Sequence, residues 1–353
     1  MLKIISLILN IILVADGFAG NVIDVYGVDT KTAARLTAQY AKQIDDVAGL
    51  FYQALMSNDN LPEQTRKANK AKTLQLAQTI KQKFGFLYVN FDTVFYPGQQ
   101  NYYTTVEIVD KNRPDRLRFI KQTKASPHLT HENKQDIISS MITYSTISQE
   151  LIFNNKMDAQ ITSCPVYHCF SNFTHPQLKP YLNVFNDGVK KYKSLILATL
   201  KHDADEERRG AAIFLIGHFT NPHEIMNILL PYVNDNNSLV RNNAIRVISE
   251  TMRSAHITDV DLLPFITLLD SPYETDRNKS LLVLLTVAST QSAQSTIIHH
   301  GSDKLLALLK LKQPNNHELV YLILKTMSGK QYGEYDISAW QKWMIQKKAT
   351  DLA

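Results

Sequence analysis

The sequence predicts a mainly helical chain in which a C-terminal stack of paired α-helices follows a small α+β domain. Three observations carry that expectation. An Asp/Arg/Ala pattern recurs beyond Lys190. Apolar residues at helical spacing follow each copy of it. Between Asn21 and Asp110, by contrast, short β-type runs alternate with helical ones.

The chain begins Met1-Leu2-Lys3 and continues into an apolar run, Ile4 to Val14, interrupted by Ser6 and Asn10. Gly17 and Ala19 then supply the small residues a signal peptidase requires, so residues 1–19 are expected to be removed on export, to the periplasm or beyond the cell. An uncleaved anchor or a buried helix is the competing reading; the run is shorter than the roughly 20 residues a membrane-spanning helix needs. No later segment reads as transmembrane, because Lys, Asp or Asn breaks every other apolar run.

Val22-Ile23-Asp24-Val25-Tyr26 is a β-type run stopped by Gly27, and Asp29 or Thr30 caps a helix reaching into the fifties. Ser57 to Pro62 breaks it, a second helix runs to Phe84, and Gly85 stops that one. Two strands then form a hairpin, Phe86–Tyr96 and Tyr102–Val109, around Pro97-Gly98. The order β-α-α-β-β puts two helices on one face of a three-stranded sheet over residues 20–110. In that order it looks like the small exported POTRA-type interaction modules. Residues 111–189 read as a connector, with one helix over Asn133–Asn154 and a Cys/His/aromatic stretch from Cys164 to Pro176.

From 190 to 347 the repeats take over. Asp203 to Ile213 aligns with Asp235 to Ile245, so that Asp, Arg (Arg209, Arg241) and Ala recur, and Arg277 with Ser280 marks a looser third copy. Each Asp suits the positive N-terminus of the next helix. Each Arg reaches back to that Asp or to turn carbonyls, pairing Asp203 with Arg209 and Asp235 with Arg241. The Ala admits a close neighbour, and the apolar face of one unit has nowhere to go but another unit. These residues resemble HEAT repeats. The end, Gly329-x-x-Tyr332-Gly333-x-x-Asp336-x-x-x-Trp340-x-x-Trp343, is similar to the closure of many bacterial HEAT arrays, with Trp340 and Trp343 sealing the last apolar surface. The resemblance implies a helical scaffold and carries no chemistry.

Composition sets further bounds. At 44% hydrophobic and 20% charged the chain is globular, and a net charge of +5 gives no case for nucleic acid. There are two cysteines, Cys164 and Cys169. In an exported chain they pair naturally as a disulfide; with His168 and His175 they also offer four zinc ligands, and a Cys/His catalytic pair is a third reading. Arg66, Lys67, Lys70, Lys72, Lys81 and Lys83 against Glu63 make the second helix basic, suited to a solvated face or to an acidic or membrane surface at the cell envelope. His299 and His300, beside Gly301, read as structural residues at a helix end. No Gly-rich phosphate loop, G-x-S-x-G elbow or H-E-x-x-H helix is present, so no cofactor or resident metal is expected.

The functional expectation is therefore an exported, non-enzymatic scaffold that binds a protein partner through its helix surface. Arg246, Ser249, Glu250 and Arg253 are the candidate recognition residues. A metal- or thiol-dependent factor centred on Cys164/His168/Cys169/His175, or a secreted effector, is the alternative.

Overall fold

The computed structural model describes residues 20–56, 62–96, 101–120, 136–154, 156–158, 161 and 163–350. The expected signal segment and the Pro97-Gly98 turn lie outside them. The fold is mainly helical with one small three-stranded sheet.

Strand β1 (Gly20–Tyr26) leads into helix α1 (Thr30–Met56), α2 (Glu63–Phe84) and strands β2 (Tyr88–Phe95) and β3 (Asn101–Val109), the expected order. Asp29 caps α1 by accepting the Thr32 N–H and hydroxyl, and Gly85 ends α2 at φ 73°, a left-handed cap that glycine adopts without strain. The sheet order is β1-β3-β2, with β1 parallel and β2 antiparallel to the central β3. Alternation along the strands gives the sheet two faces. Val89, Val106 and Ile108 pack with Leu36, Ile44 and Ile80 into one small core. The opposite face is polar and carries Asp24, Tyr26, Asp92 and Glu107.

A 3-10 turn (Pro114–Phe119) precedes helices α3 (Ile137–Phe153), α4 (Lys179–Lys191), α5 (Lys193–His202), α6 (Glu206–Ile216), α7 (Pro222–Leu229), α8 (Ser238–Ala255), α9 (Leu263–Leu268), α10 (Glu274–Val287), α11 (Gln291–Leu309), α12 (Pro314–Ser328) and α13 (Ile337–Thr350). Helix α3 packs on α6, α6 on α8, α8 on α10 and α10 on α12, while α5, α7, α9 and α11 pack on α6, α8, α10 and α12 respectively. One apolar core runs from Ile137 to Met344 and takes in Tyr26 of β1 and Phe119 of the 3-10 turn. It includes α3 and α4, so the segment expected as a connector is continuous with the helices after it. Small residues allow the close approach: Ala212, Ala244 and Ser280 are fully buried, and a Cβ on Gly210 would lie 2.7 Å from Asn243 Nδ2. Helix α11 runs straight through His299, His300 and Gly301. The expected end there is corrected, because Gly301 lies in the helix interior, buried and facing Ile266.

The polar sheet face is docked on the helices. Glu107 on β3 meets Arg277 on α10 through two contacts, Nη1–Oε2 at 2.8 Å and Nη2–Oε1 at 2.5 Å, with both side chains fully buried. Asp24 accepts the Lys312 and Gln313 N–H groups at the start of α12, at 2.7 and 2.9 Å, and Asp92 is buried near the start of α10, where the Glu274 backbone favours its charged form. Carboxylates from the sheet thus sit at two helix N-termini, where the exposed N–H groups and the helix dipole favour negative charge. Tyr26 lies beneath two guanidinium groups, Arg277 at 4.3 Å and Arg116 at 5.0 Å, and its hydroxyl donates to the Leu269 carbonyl at 2.7 Å. Gly27 has φ +101°, and a side chain there would strike the Ile108 carbonyl and Arg116. The bare backbone at Gly27 leaves room for Arg116 to bond that carbonyl.

Candidate functional site: the charged surface of helices α8 and α10

The repeated Asp/Arg pairs are a correction. Arg209 does not bond Asp203: it donates to the Leu200 carbonyl and ion-pairs with Asp235 of the following unit. Asp203 takes Arg208 instead, at 2.9 Å, and Arg208 also holds Asp136 at the start of α3. Arg241 reaches the Asp235 and Asn236 carbonyls, as expected of a turn-holding arginine, but its carboxylate partner is Asp276 on α10, at 2.7 Å. Arg277 likewise bonds the Ser271 carbonyl and reaches forward to Asn316 on α12. Helix geometry explains the shift. An arginine in the first turns, packed against the next helix, finds a side chain there closer than the carboxylate behind it. Asp203 and Asp235 instead shape their own turns, accepting the N–H of Asp205 and Asn237. Those two residues then cap α6 and α8.

The four candidate recognition residues separate on α8. Arg253 is exposed. Ser249 is buried, with its hydroxyl on the Arg246 carbonyl; it is corrected from a surface contact to an interior residue, because its position on α8 faces the packed side. Glu250 is hydrogen-bonded at 2.7 Å to His168 Nδ1. That bond, with the nearby Arg246 and Arg253, holds its carboxyl below the usual range against the opposing effect of burial. Arg246 is half-buried, and no carboxylate of the described residues lies within ion-pairing distance of it.

Lys279 on α10, which sequence reasoning missed, lies within electrostatic reach of Arg246, Glu250 and Glu274. Its Nζ donates to Asn278 Oδ1 at 2.9 Å and makes no ion pair among the described residues. Burial, with Arg246 next in order, pushes the Lys279 ammonium down to about 8 against the opposing pull of Glu274 and Glu250; burial also lowers Arg246, against Glu250. A signal for Lys279 was present. It follows Arg277 by the spacing at which Asn243 follows Arg241, which places it on the same side of its helix as the Asn243 position of α8.

The Cys164–Cys169 pair is a disulfide with Cα atoms 5.7 Å apart. The loop it closes packs onto α6 and α8. Tyr167 and His168 donate their N–H groups to the Gly217 carbonyl, and the buried His168 ring stacks on Phe214 at 5.0 Å. The sulfurs are bonded to one another, His168 is turned to Glu250, and His175 Nδ1 accepts the Gln177 N–H. Among the described residues no group of three or more His, Cys, Asp or Glu side chains is placed to hold a metal.

At the other end Trp340 is fully buried, donates Nε1–H to the Gly333 carbonyl at 2.9 Å, and meets Trp343 edge-on at 6.3 Å. On α2, Lys67 pairs with Glu63, and Lys70, Lys72 and Lys83 face solvent. No helix of the described residues is long and apolar enough to cross a membrane.

No protein-family model, curated protein or solved structure matches this chain.

Proposed function

We propose that this protein is an exported, non-enzymatic scaffold whose helices form a HEAT-type array and present one face to a protein partner. The observation that carries the reading is the set of forward-reaching arginines. Arg209 to Asp235 in the turn ahead of α8, Arg241 to Asp276 on α10 and Arg277 to Asn316 on α12 link successive helix pairs, and each uses a charged guanidinium to hold neighbouring units in register. On the side of α8 away from these links, Arg253 is exposed and Arg246 and Glu250 are half-buried. The disulfide supports an oxidising compartment, periplasmic or extracellular. The exposed cations of α2 support contact with an anionic envelope surface as a secondary tether.

The test is capture from the native envelope or secreted fraction by the mature protein and by an Arg246→Glu/Arg253→Glu variant. The wild type is expected to retain a specific partner that the variant loses, with the helical circular-dichroism signal unchanged. Failure of the wild type to retain any protein would remove the scaffold reading.

A further inference from the structure

Strand β1 has a free edge. The sheet order β1-β3-β2 leaves it bonded to β3 alone, and alternation along the strands decides which of its backbone groups face outward. The Val109 carbonyl accepts the Leu87 N–H on the β2 side of β3. The Ile108 carbonyl turns the other way, to Gly27 and Arg116 just past the end of β1. In a parallel pair each bonded residue reaches the two residues flanking the one it faces. With Asp24 opposite Thr105 and Tyr26 opposite Glu107, Val22, Asp24 and Tyr26 are the residues that bond β3. Ile23 and Val25 therefore turn their N–H and C=O groups away from the sheet. No bond to those outward groups is found among the described residues. An unpaired strand edge is a template for another chain, and folded proteins commonly cover, charge or shorten it.

This edge lies along a groove of about 810 Å³ between the sheet unit and the helices. Ala33, Ala34 and Thr37 of α1 line one side of it, and Ala307, Lys310 and Leu311 the other. The residues on the α1 side are small and leave room for the side chains of an incoming chain. With a wall on each side, the groove suits one extended chain rather than the edge of a second folded sheet. Its carboxylates are already engaged: Asp24 by the Lys312 and Gln313 N–H groups, Asp29 by Thr32, Asp110 by the Asn112 N–H and Asp270 by Arg113. Lys312 is drawn toward Asp24. Lys310 is exposed and makes no hydrogen bond or ion pair among the described residues. We propose that this groove binds an extended segment of a partner protein as an added strand on β1, held by the backbone groups of Ile23 and Val25, with apolar side chains toward α1 and an acidic one toward Lys310. In such an arrangement the main chain supplies affinity and the alternate side chains supply selectivity. The site is separate from the α8 surface and goes beyond the scaffold reading.

The experiment uses the full-length protein and a fluorescein-labelled, end-blocked peptide of alternating Val and Glu, read by anisotropy. Two further peptides carry N-methyl groups on every Val or on every Glu. Only one of these sets faces β1 in an added strand. One N-methylated peptide is therefore expected to bind as the parent does, and the other at least about tenfold more weakly, because it loses its bonds to the edge. Ala34→Trp, which fills the groove from an exposed position, is expected to remove binding with thermal melting unchanged. Lys310→Glu should weaken the parent peptide about threefold or more and leave a peptide of Val and Gln unaffected. With isotope-labelled valine, the Val25 amide should exchange fast in the protein alone and slowly with the peptide, while Val22 is slow in both. The proposal is overturned if the wild type ignores the peptide, if both N-methylated peptides bind alike, if Ala34→Trp binds normally, or if Val25 exchange does not change. It is also overturned if the wild type is a dimer that Ala34→Trp dissociates, since a second copy would then be the occupant. The Arg246→Glu/Arg253→Glu variant should bind this peptide normally, so failure here leaves the scaffold reading standing.

Discussion

Arg241 and Arg246 sit little more than a turn apart on one helix and meet opposite surroundings. The first is buried against Asp276 and two turn carbonyls; the second is half-buried and makes no ion pair with the described residues. Titratable groups elsewhere divide in the same way, and the sign of each shift fixes its effect on stability. His218 lies among Phe173 and Phe185, with Nδ1 on Asn186 Oδ1 at 2.9 Å. Burial, with a smaller push from His168, takes it down to about 3 from an ordinary 6.5. As pH falls from about 6.5 toward 3 the unfolded chain binds a proton that the folded chain refuses, so this group makes the fold less stable in that window. Glu107 acts in the opposite sense. Burial raises it to about 7 against the pull of Arg277. Between the ordinary carboxyl value of 4.5 and about 7 the folded state holds a proton that the unfolded state has released, and stability falls as pH rises through that range. The prediction is checked by NMR. The His218 ring resonances should stay at their neutral positions from pH 8 down to pH 5, and a midpoint near 6.5 would show that the ring is not desolvated.

At the scale of elements, the disulfide loop is a clamp on α6 and α8 rather than a support of the whole fold. A loop this short restrains the unfolded chain by only about 2 kcal/mol in the chain-entropy account. Replacing both Cys164 and Cys169 by Ser should therefore lower the unfolding free energy by about that amount in urea, with the helical signal kept. Loss of that signal in the absence of denaturant would mean that the clamp is needed for folding. The elements themselves were largely legible. The β-α-α-β-β order, the caps at Asp29 and Gly85 and the register of Arg209, Arg241 and Arg277 follow from local pattern, which short-range forces set. The partners of those arginines were not legible. Asp203 and Asp235 are near in sequence, whereas Asp276 and Asn316 become neighbours only once helices pack. His168 and Glu250 lie 82 residues apart, and no periodicity announces a bond of that span. The binding candidates fared unevenly for a related reason. Helical phase places Arg246 and Arg253 on one side of α8, but it does not reveal that Ser249 faces the packed side or that Glu250 is taken up by His168.

At the scale of the whole molecule, the sheet unit is joined to the helices through its polar face. Asp24 and Asp92 sit at the starts of α12 and α10, Tyr26 lies under two arginines, and the link between Glu107 and Arg277 is the most buried ion pair among the described residues. Within this joint Glu107 is matched by Arg277, and Asp24 by the N–H groups of Lys312 and Gln313. Removing one member of a buried pair strands the other and costs several kcal/mol, whereas removing both costs much less. The most direct test of this joined architecture is a double-mutant cycle on Glu107→Gln and Arg277→Met, residues 170 apart in the chain, read from urea unfolding. The account predicts a coupling free energy of about 2–3 kcal/mol between them. A coupling below about 0.5 kcal/mol, the range of independent sites, would contradict it.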